Sequence, residues 1–114
     1  MREIDVRVVE KKVDYKNSLS KYMKLLRGSP RAMGFSIGTN FDVKVIRKNP
    51  SLENLQKRVG GNIELVIYPE DRNFDILVNE EGAINLLPEN VLFWIITGLK
   101  IRGNVVVLKK GVLK

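Results

Sequence analysis

Two adjacent carboxylates, Glu80 and Glu81, stand in the segment Asn79-Glu80-Glu81-Gly82. Paired acids are what general acid–base chemistry or a magnesium site would use. Neighbouring residues, however, rarely aim two carboxylates at one point, and no third ligand lies within the segment; Asp71 or Asp75 could join only through the fold. The same spacing fits a turn. Asn first and Gly fourth are the preferred ends of a type I turn, and a glycine just after such a turn commonly adopts the left-handed conformation of a bulged hairpin. On this reading Glu80 and Glu81 are solvated at a hairpin tip and Gly82 serves the backbone. The motif is expected to be structural, with no metal and no cofactor.

The rest of the composition narrows the chemistry further. The 114 residues contain neither histidine nor cysteine. Without imidazole the readiest proton carrier near neutral pH is missing, and without thiols there are no disulfides, thiolate nucleophiles or cysteine-based zinc sites. An enzyme is therefore not expected. The chain is expected to form one domain, residues 1–114, able to bury one modest core. Met1-Arg2-Glu3-Ile4-Asp5 carries acids where an export signal needs an apolar segment, which points to the cytoplasm. The longest apolar run, Val91 to Ile96, is far short of the roughly twenty residues of a membrane span.

Charge is unevenly placed. Residues 1–58 hold fourteen Lys/Arg against six Asp/Glu, whereas residues 59–99 hold Arg72 alone against seven acids. The densest positive stretch comprises Lys11, Lys12, Lys16, Lys21, Lys24, Arg27 and Arg31, with Asp14 its one acid. A cationic stripe of this kind binds phosphates by releasing counterions, largely without regard to sequence; Tyr15, Arg31 and Phe35 could add stacking on single strands. The same run also reads as a solvated helix face. A different class of partner is a host protein, met electrostatically by Glu70, Asp71, Asp75, Glu80, Glu81 and Glu89. Phe93 and Trp94, within the most apolar stretch, read as core. Oppositely charged halves and an uncovered strand edge would also permit homo-oligomers.

These side chains need elements to position them. Ile4, Val6 and Val8 alternate with charged or polar residues, as in a strand. Leu19, Tyr22, Met23 and Leu26 follow helical spacing, with Asn17 or Ser18 as N-cap and Gly28 as the stop. Gly34 to Gly38 fits a short strand or a loop, and Phe41 to Ile46 alternates as a strand. Ser51 to Val59 reads as a short helix with Leu52, Leu55 and Val59 on one side, ended by Gly60-Gly61, one of them a left-handed cap. Ile63, Leu65 and Ile67 mark a strand, as do Phe74, Ile76 and Val78, which run into the acid pair. Ala83 to Leu87 is expected to return as a strand. Pro88 suits a first helical position, so residues 89–97 fit a brief helix ended by Gly98, although the β-rich composition of 91–96 favours a strand. Gly103 to Lys110 closes the domain as a strand. The sum is an α+β domain, mainly an antiparallel sheet of about five strands with two or three short helices.

Val59-Gly60-Gly61-Asn62-Ile63-Glu64, Asn79-Glu80-Glu81-Gly82, and Leu87-Pro88-Glu89-Asn90 occur in this order, followed by Gly103-Asn104. The pattern resembles a domain of unknown function carried largely by phages, plasmids and bacterial genomes with such insertions, its hallmark being N-E-E-G-K with a nearby L-P. Ala83 replaces the lysine of that hallmark. The resemblance covers residues 43–109 and leaves residues 1–42 as a basic N-terminal strand and helix. It implies no established activity, only an origin in a mobile element or virus. Charge and resemblance together lead us to expect a non-catalytic accessory protein of a virus, phage or plasmid. It would bind nucleic acid through the basic N-terminal surface or, alternatively, dock on a host complex as an inhibitor or adaptor.

Overall fold

The structure, a computed structural model, describes residues 13–26 and 31–113. Helix α1 (Ser18–Leu25) precedes the hairpin of β1 (Gly34–Ile37) and β2 (Val43–Ile46). Helix α2 (Leu52–Val59) leads to β3 (Ile63–Val66) and β4 (Phe74–Asn79), and α3 (Val91–Thr97) to the final strand, β5 (Val105–Lys109). The strands form one antiparallel sheet in the order β2-β1-β5-β4-β3. The domain is thus α+β, with five strands and three helices among the described residues. No helix among them is long and apolar enough to cross a membrane. The expected strand through Ile4, Val6 and Val8 lies outside the described residues.

Both faces of the sheet are covered, and alternate residues of a strand enter different apolar layers. Val105 and Val107 of β5 join Phe35, Ile37, Phe74, Ile76 and Val78 in a layer closed by Leu19 and Met23 of α1 and Phe93 of α3. Val106 and Leu108 join Leu77 and Ile46 under Leu55 and Val59 of α2. A strand buried on both sides reads as a continuous apolar run, which is why 105–108 has no polar alternation. Leu52, expected on the buried side of α2, is largely exposed at the first turn.

The helix ends follow local chemistry only in part. The Ser51 hydroxyl accepts from the Asn54 amide at 3.0 Å, and α2 stops at Gly60 with φ 80°, as its sequence predicts. Helix α1 differs: Asn17 has φ 55° and its side chain makes no capping bond. The buried Asp71 carboxylate instead accepts from the Ser20 amide at 2.7 Å and from the Ser20 hydroxyl at 2.6 Å. Tyr68, also buried, places its hydroxyl 2.9 Å from the Thr97 carbonyl and 3.0 Å from Ser18 Oγ, tying α1 to α3. Burial raises its pKa.

Asn90 does most to join the layers. Its Oδ1 accepts from the Phe93 amide at 3.1 Å and caps α3. Its Nδ2 donates to the carbonyls of Ile37 (2.9 Å) and Gly103 (3.0 Å), at the end of β1 and just before β5. The side chain is buried, so truncation strands two carbonyls and one amide without water. We expect Asn90→Ala to destabilise the fold by about 3 kcal/mol, read as a lower urea midpoint with an unchanged slope. A loss under about 0.5 kcal/mol would show that water or a shift of the chain replaces the amide.

Candidate functional site

The glycine- and asparagine-rich segments meet at one end of the sheet. Asn79, at the end of β4, is buried; its Nδ2 donates to the Val59 carbonyl at 3.1 Å and its Oδ1 accepts from the Glu81 amide at 2.8 Å. A Cβ on Gly61 would sit 3.0 Å from Asn79 Nδ2. Leu87 N donates to the Gly82 carbonyl, Gly103 N to the Pro88 carbonyl, and Arg102 Nη1 to the Leu87 carbonyl. Gly60, Gly61, Asn79, Gly82, Leu87 and Pro88 therefore converge as a frame of backbone and amide bonds.

Two expectations about this frame are corrected. The acid pair is not a hairpin tip, because Ala83 to Leu87 does not return as a strand. Both edges of β4 are already taken, by β3 and β5, so a returning strand has nothing to pair with. The chain instead folds into successive turns, with Asn85 N on the Glu81 carbonyl at 2.9 Å. Gly82 is buried and is not among the positive-φ glycines. It is required for closeness: a Cβ there would lie 2.6 Å from the Arg102 carbonyl. Glu80 and Glu81 are exposed, and no three acids among the described residues are grouped to hold a metal ion.

The other expected site residues are scattered. Lys21 and Lys24 are exposed on the outer side of α1. Lys16 precedes that helix in a shallow cleft with Asp14, Glu70 and Arg72, where charges alternate in sign. Arg31 stands exposed ahead of β1. Lys11, Lys12 and Arg27 lie outside the described residues. Phe35, expected to stack on bases, is fully buried between α1 and the sheet, its ring 5.4 Å from that of Tyr22. Of the acids expected to face a partner, Asp71 is buried as a helix cap. Asp75 is mostly covered, with Lys110 Nζ 3.3 Å from its Oδ1. Trp94, expected in the core, is 46% exposed, while Phe93 is buried.

A more organised arrangement lies elsewhere, between the edge strand β2 and helix α2. An open cleft of about 260 Å³ is lined by Ser36, Gly38, Asn40, Asp42, Lys44, Arg58 and Asn104. A second cleft, flanked by Arg47, Lys48, Ser51 and Asn54, shares Arg58 with it. Arg58 is half-buried and held from two sides: its Nε donates to Asn54 Oδ1 at 2.8 Å and its Nη1 to Ser36 Oγ at 3.4 Å. Asn104 in turn donates to the Arg58 carbonyl at 3.3 Å. A guanidinium fixed in this way retains donors for a bidentate anion. Lys44 is close to Asp42, at 3.7 Å, in an exposed pair that solvent screens. Sequence reasoning missed this set because Lys44 and Arg58 belong to elements separated by a loop. The available signal was the charge of residues 44–58, five Lys/Arg against Glu53.

The fold and this cleft define a small α+β domain with helices on both faces of an antiparallel sheet and a cationic groove beside one edge strand. The chain belongs to the family described as Domain of unknown function (DUF3846), which matches residues 31–111. The match begins before residue 43, so the whole β1–β2 hairpin falls inside the family domain. No curated protein and no solved structure matches the chain.

The frame and the acid pair are separable by mutation. Glu80→Gln with Glu81→Gln should leave the thermal midpoint within about 2 °C of the wild type, since exposed charges contribute little. Gly82→Val should lower it by about 10 °C or more, because a side chain must displace the Arg102 backbone. The reverse order, with the glutamines costly and the valine silent, would make the carboxylates the structural feature.

Proposed function

We propose that this protein is a non-catalytic accessory protein of a virus, phage or plasmid that binds nucleic acid through its phosphate backbone. The observation that carries the reading is Arg58, held by Asn54 and Ser36 where two clefts meet and flanked by Lys44, Arg47 and Lys48. Cations beside an open groove suit an extended polyanion, and neutralising phosphates releases counterions whatever the base sequence. The exposed Lys21 and Lys24 of α1 add positive field. The absence of histidine and cysteine from the sequence supports binding in place of turnover. The mobile-element origin rests on the resemblance of the glycine–asparagine segments.

A second reading, docking on a host protein, is favoured by Val91, Trp94 and Ile95. These form an exposed apolar side of α3, with Lys100 Nζ 5.8 Å from the Trp94 ring centroid. Exposed aromatic residues of this kind anchor protein interfaces.

One set of variants distinguishes the readings. Anisotropy titrations with a labelled mixed-sequence oligonucleotide should show affinity falling with salt, at a slope of about −0.7 per phosphate contacted on a single strand. Lys44→Glu with Arg58→Glu should weaken binding at least tenfold, and Lys21→Glu with Lys24→Glu by a smaller factor. No retention of either DNA or RNA at low salt would reject the nucleic-acid reading. Capture of a host protein that survives nuclease treatment and is lost in Trp94→Ala would favour the second.

A further inference from the structure

The tip of the β1–β2 hairpin displays an aromatic ring in a conformation that phenylalanine disfavours. Phe41 has φ 69° and is 57% exposed. A left-handed backbone is uncommon for any residue with a Cβ and an outlier for a bulky one, and such strain persists only where its surroundings impose it. Here they do. Phe41 N donates to the Gly38 carbonyl at 3.0 Å, and Gly38 N donates to the Asp42 carbonyl at 2.8 Å. Asn40 Oδ1 accepts from the Asp42 amide, and Asn104 Oδ1 accepts from the Thr39 amide, both at 3.0 Å. The left-handed position following a tight turn in a bulged hairpin is one that glycine fills without strain.

Burial does not account for the phenylalanine, because more than half of it faces solvent. Its location suggests a role. Asn40 and Asp42, its neighbours on either side, both line the cleft that contains Lys44 and Arg58. Among the described residues two others with side chains share a positive φ, Asn17 and Leu86. Asparagine tolerates that conformation. Leu86 lies in the turns after β4, which carry Glu80 and Glu81, and away from the cleft that holds Lys44 and Arg58.

We infer that Phe41 is a base-stacking platform and that the ligand of the cleft is single-stranded nucleic acid, its phosphate on Arg58 and Lys44 and an unpaired base on the Phe41 ring. This rests on the phosphate-binding reading and extends it from polyanion to unpaired strand. A ring stacks on any base, so the preference is for strand state and not for sequence. The hydrogen bonds of the hairpin tip fix the backbone that carries the ring, so less ordering is left for the moment of binding.

The test uses the whole protein with three probes: a mixed-sequence single-stranded DNA oligonucleotide, its RNA counterpart, and the DNA duplex. Phe41→Gly should weaken single-strand binding about tenfold, leave duplex binding within about twofold, and raise the thermal midpoint by about 2–5 °C through relief of the strained φ. Phe41→Tyr should retain single-strand affinity. A gain in stability shows that the variant folds, so lost affinity cannot be ascribed to unfolding. Single-strand binding unchanged in Phe41→Gly but lost in Lys44→Glu with Arg58→Glu would overturn the stacking role and leave the phosphate reading standing. Equal losses on duplex and single strand would overturn the strand preference. A wild-type protein that binds none of the three probes would overturn both.

Discussion

The amide of Asn90 solves a problem created by covering both faces of a sheet. When helices lie on each face, the backbone groups where the chain leaves a strand are removed from water, and each must find a partner. The Ile37 and Gly103 carbonyls stand at such exits, and the Phe93 amide is one of the unpaired donors at the start of α3. One side chain with two donors and an acceptor serves all three. Asn79 does the equivalent at the next exit, between the end of α2 and the end of β4, and Asn104 links the hairpin to Arg58. The short side chain matters as much as its polarity, since little rotamer freedom is lost when it is buried between backbones. The hairpin tip and the cleft beside β2 are built on this end of the sheet.

Strand order converts the charge pattern of the sequence into a charge pattern in space. Residues 44–58 supply β2, the following loop and α2, whereas the acidic region begins with β3, and the sheet places β2 and β3 at opposite edges. Lys44, Arg47 and Lys48 therefore stand at one side of the molecule. Glu64 stands at the other, with Glu80 beside it through its amide on the Asn62 carbonyl. Separation of the signs keeps the acids of β3 and the following turns away from the groove, where Asp42 is set against Lys44 and Arg58.

Local periodicity made most of the sheet legible. The alternation of Phe74, Ile76 and Val78 and the spacing of Leu55 and Val59 arise from contacts within one element and its nearest layer. They survive in the sequence as patterns of period two and of three to four. Two of the failures depended on a partner distant in the chain. Asp71 looked like a surface acid because its helix, α1, begins some fifty residues earlier. Ala83 to Leu87 looked like a strand because nothing local reveals that both edges of β4 are occupied. Trp94 looked like core because the segment 91–96 is uniformly apolar, and a uniformly apolar helix does not announce which side it turns outward. Phe41 matched the parity of Val43 and Val45, yet the chain turns at Phe41 and β2 begins only at Val43. The motif residues were legible as a group and their role less so. Gly82 was expected to provide freedom of φ, and it provides room.

The strain at Phe41 and the composition of the chain bear on the same question from opposite directions. A protein that transforms a substrate places its unusual backbone conformations around groups that move protons or attack carbonyls. Here the unusual conformation presents a ring with no titratable atom, on the hairpin whose Asn40 and Asp42 line the cleft with Arg58. The tyrosines displaced by burial, Tyr22 and Tyr68, are moved upward, away from neutrality, and Tyr68 is engaged in holding α1 to α3. Fixed positive charge and an exposed aromatic face are groups whose attraction does not depend on a proton being gained or lost. On the proposed reading such a surface works by complementarity of shape and charge, its cations meeting a phosphate and its exposed ring a flat apolar group.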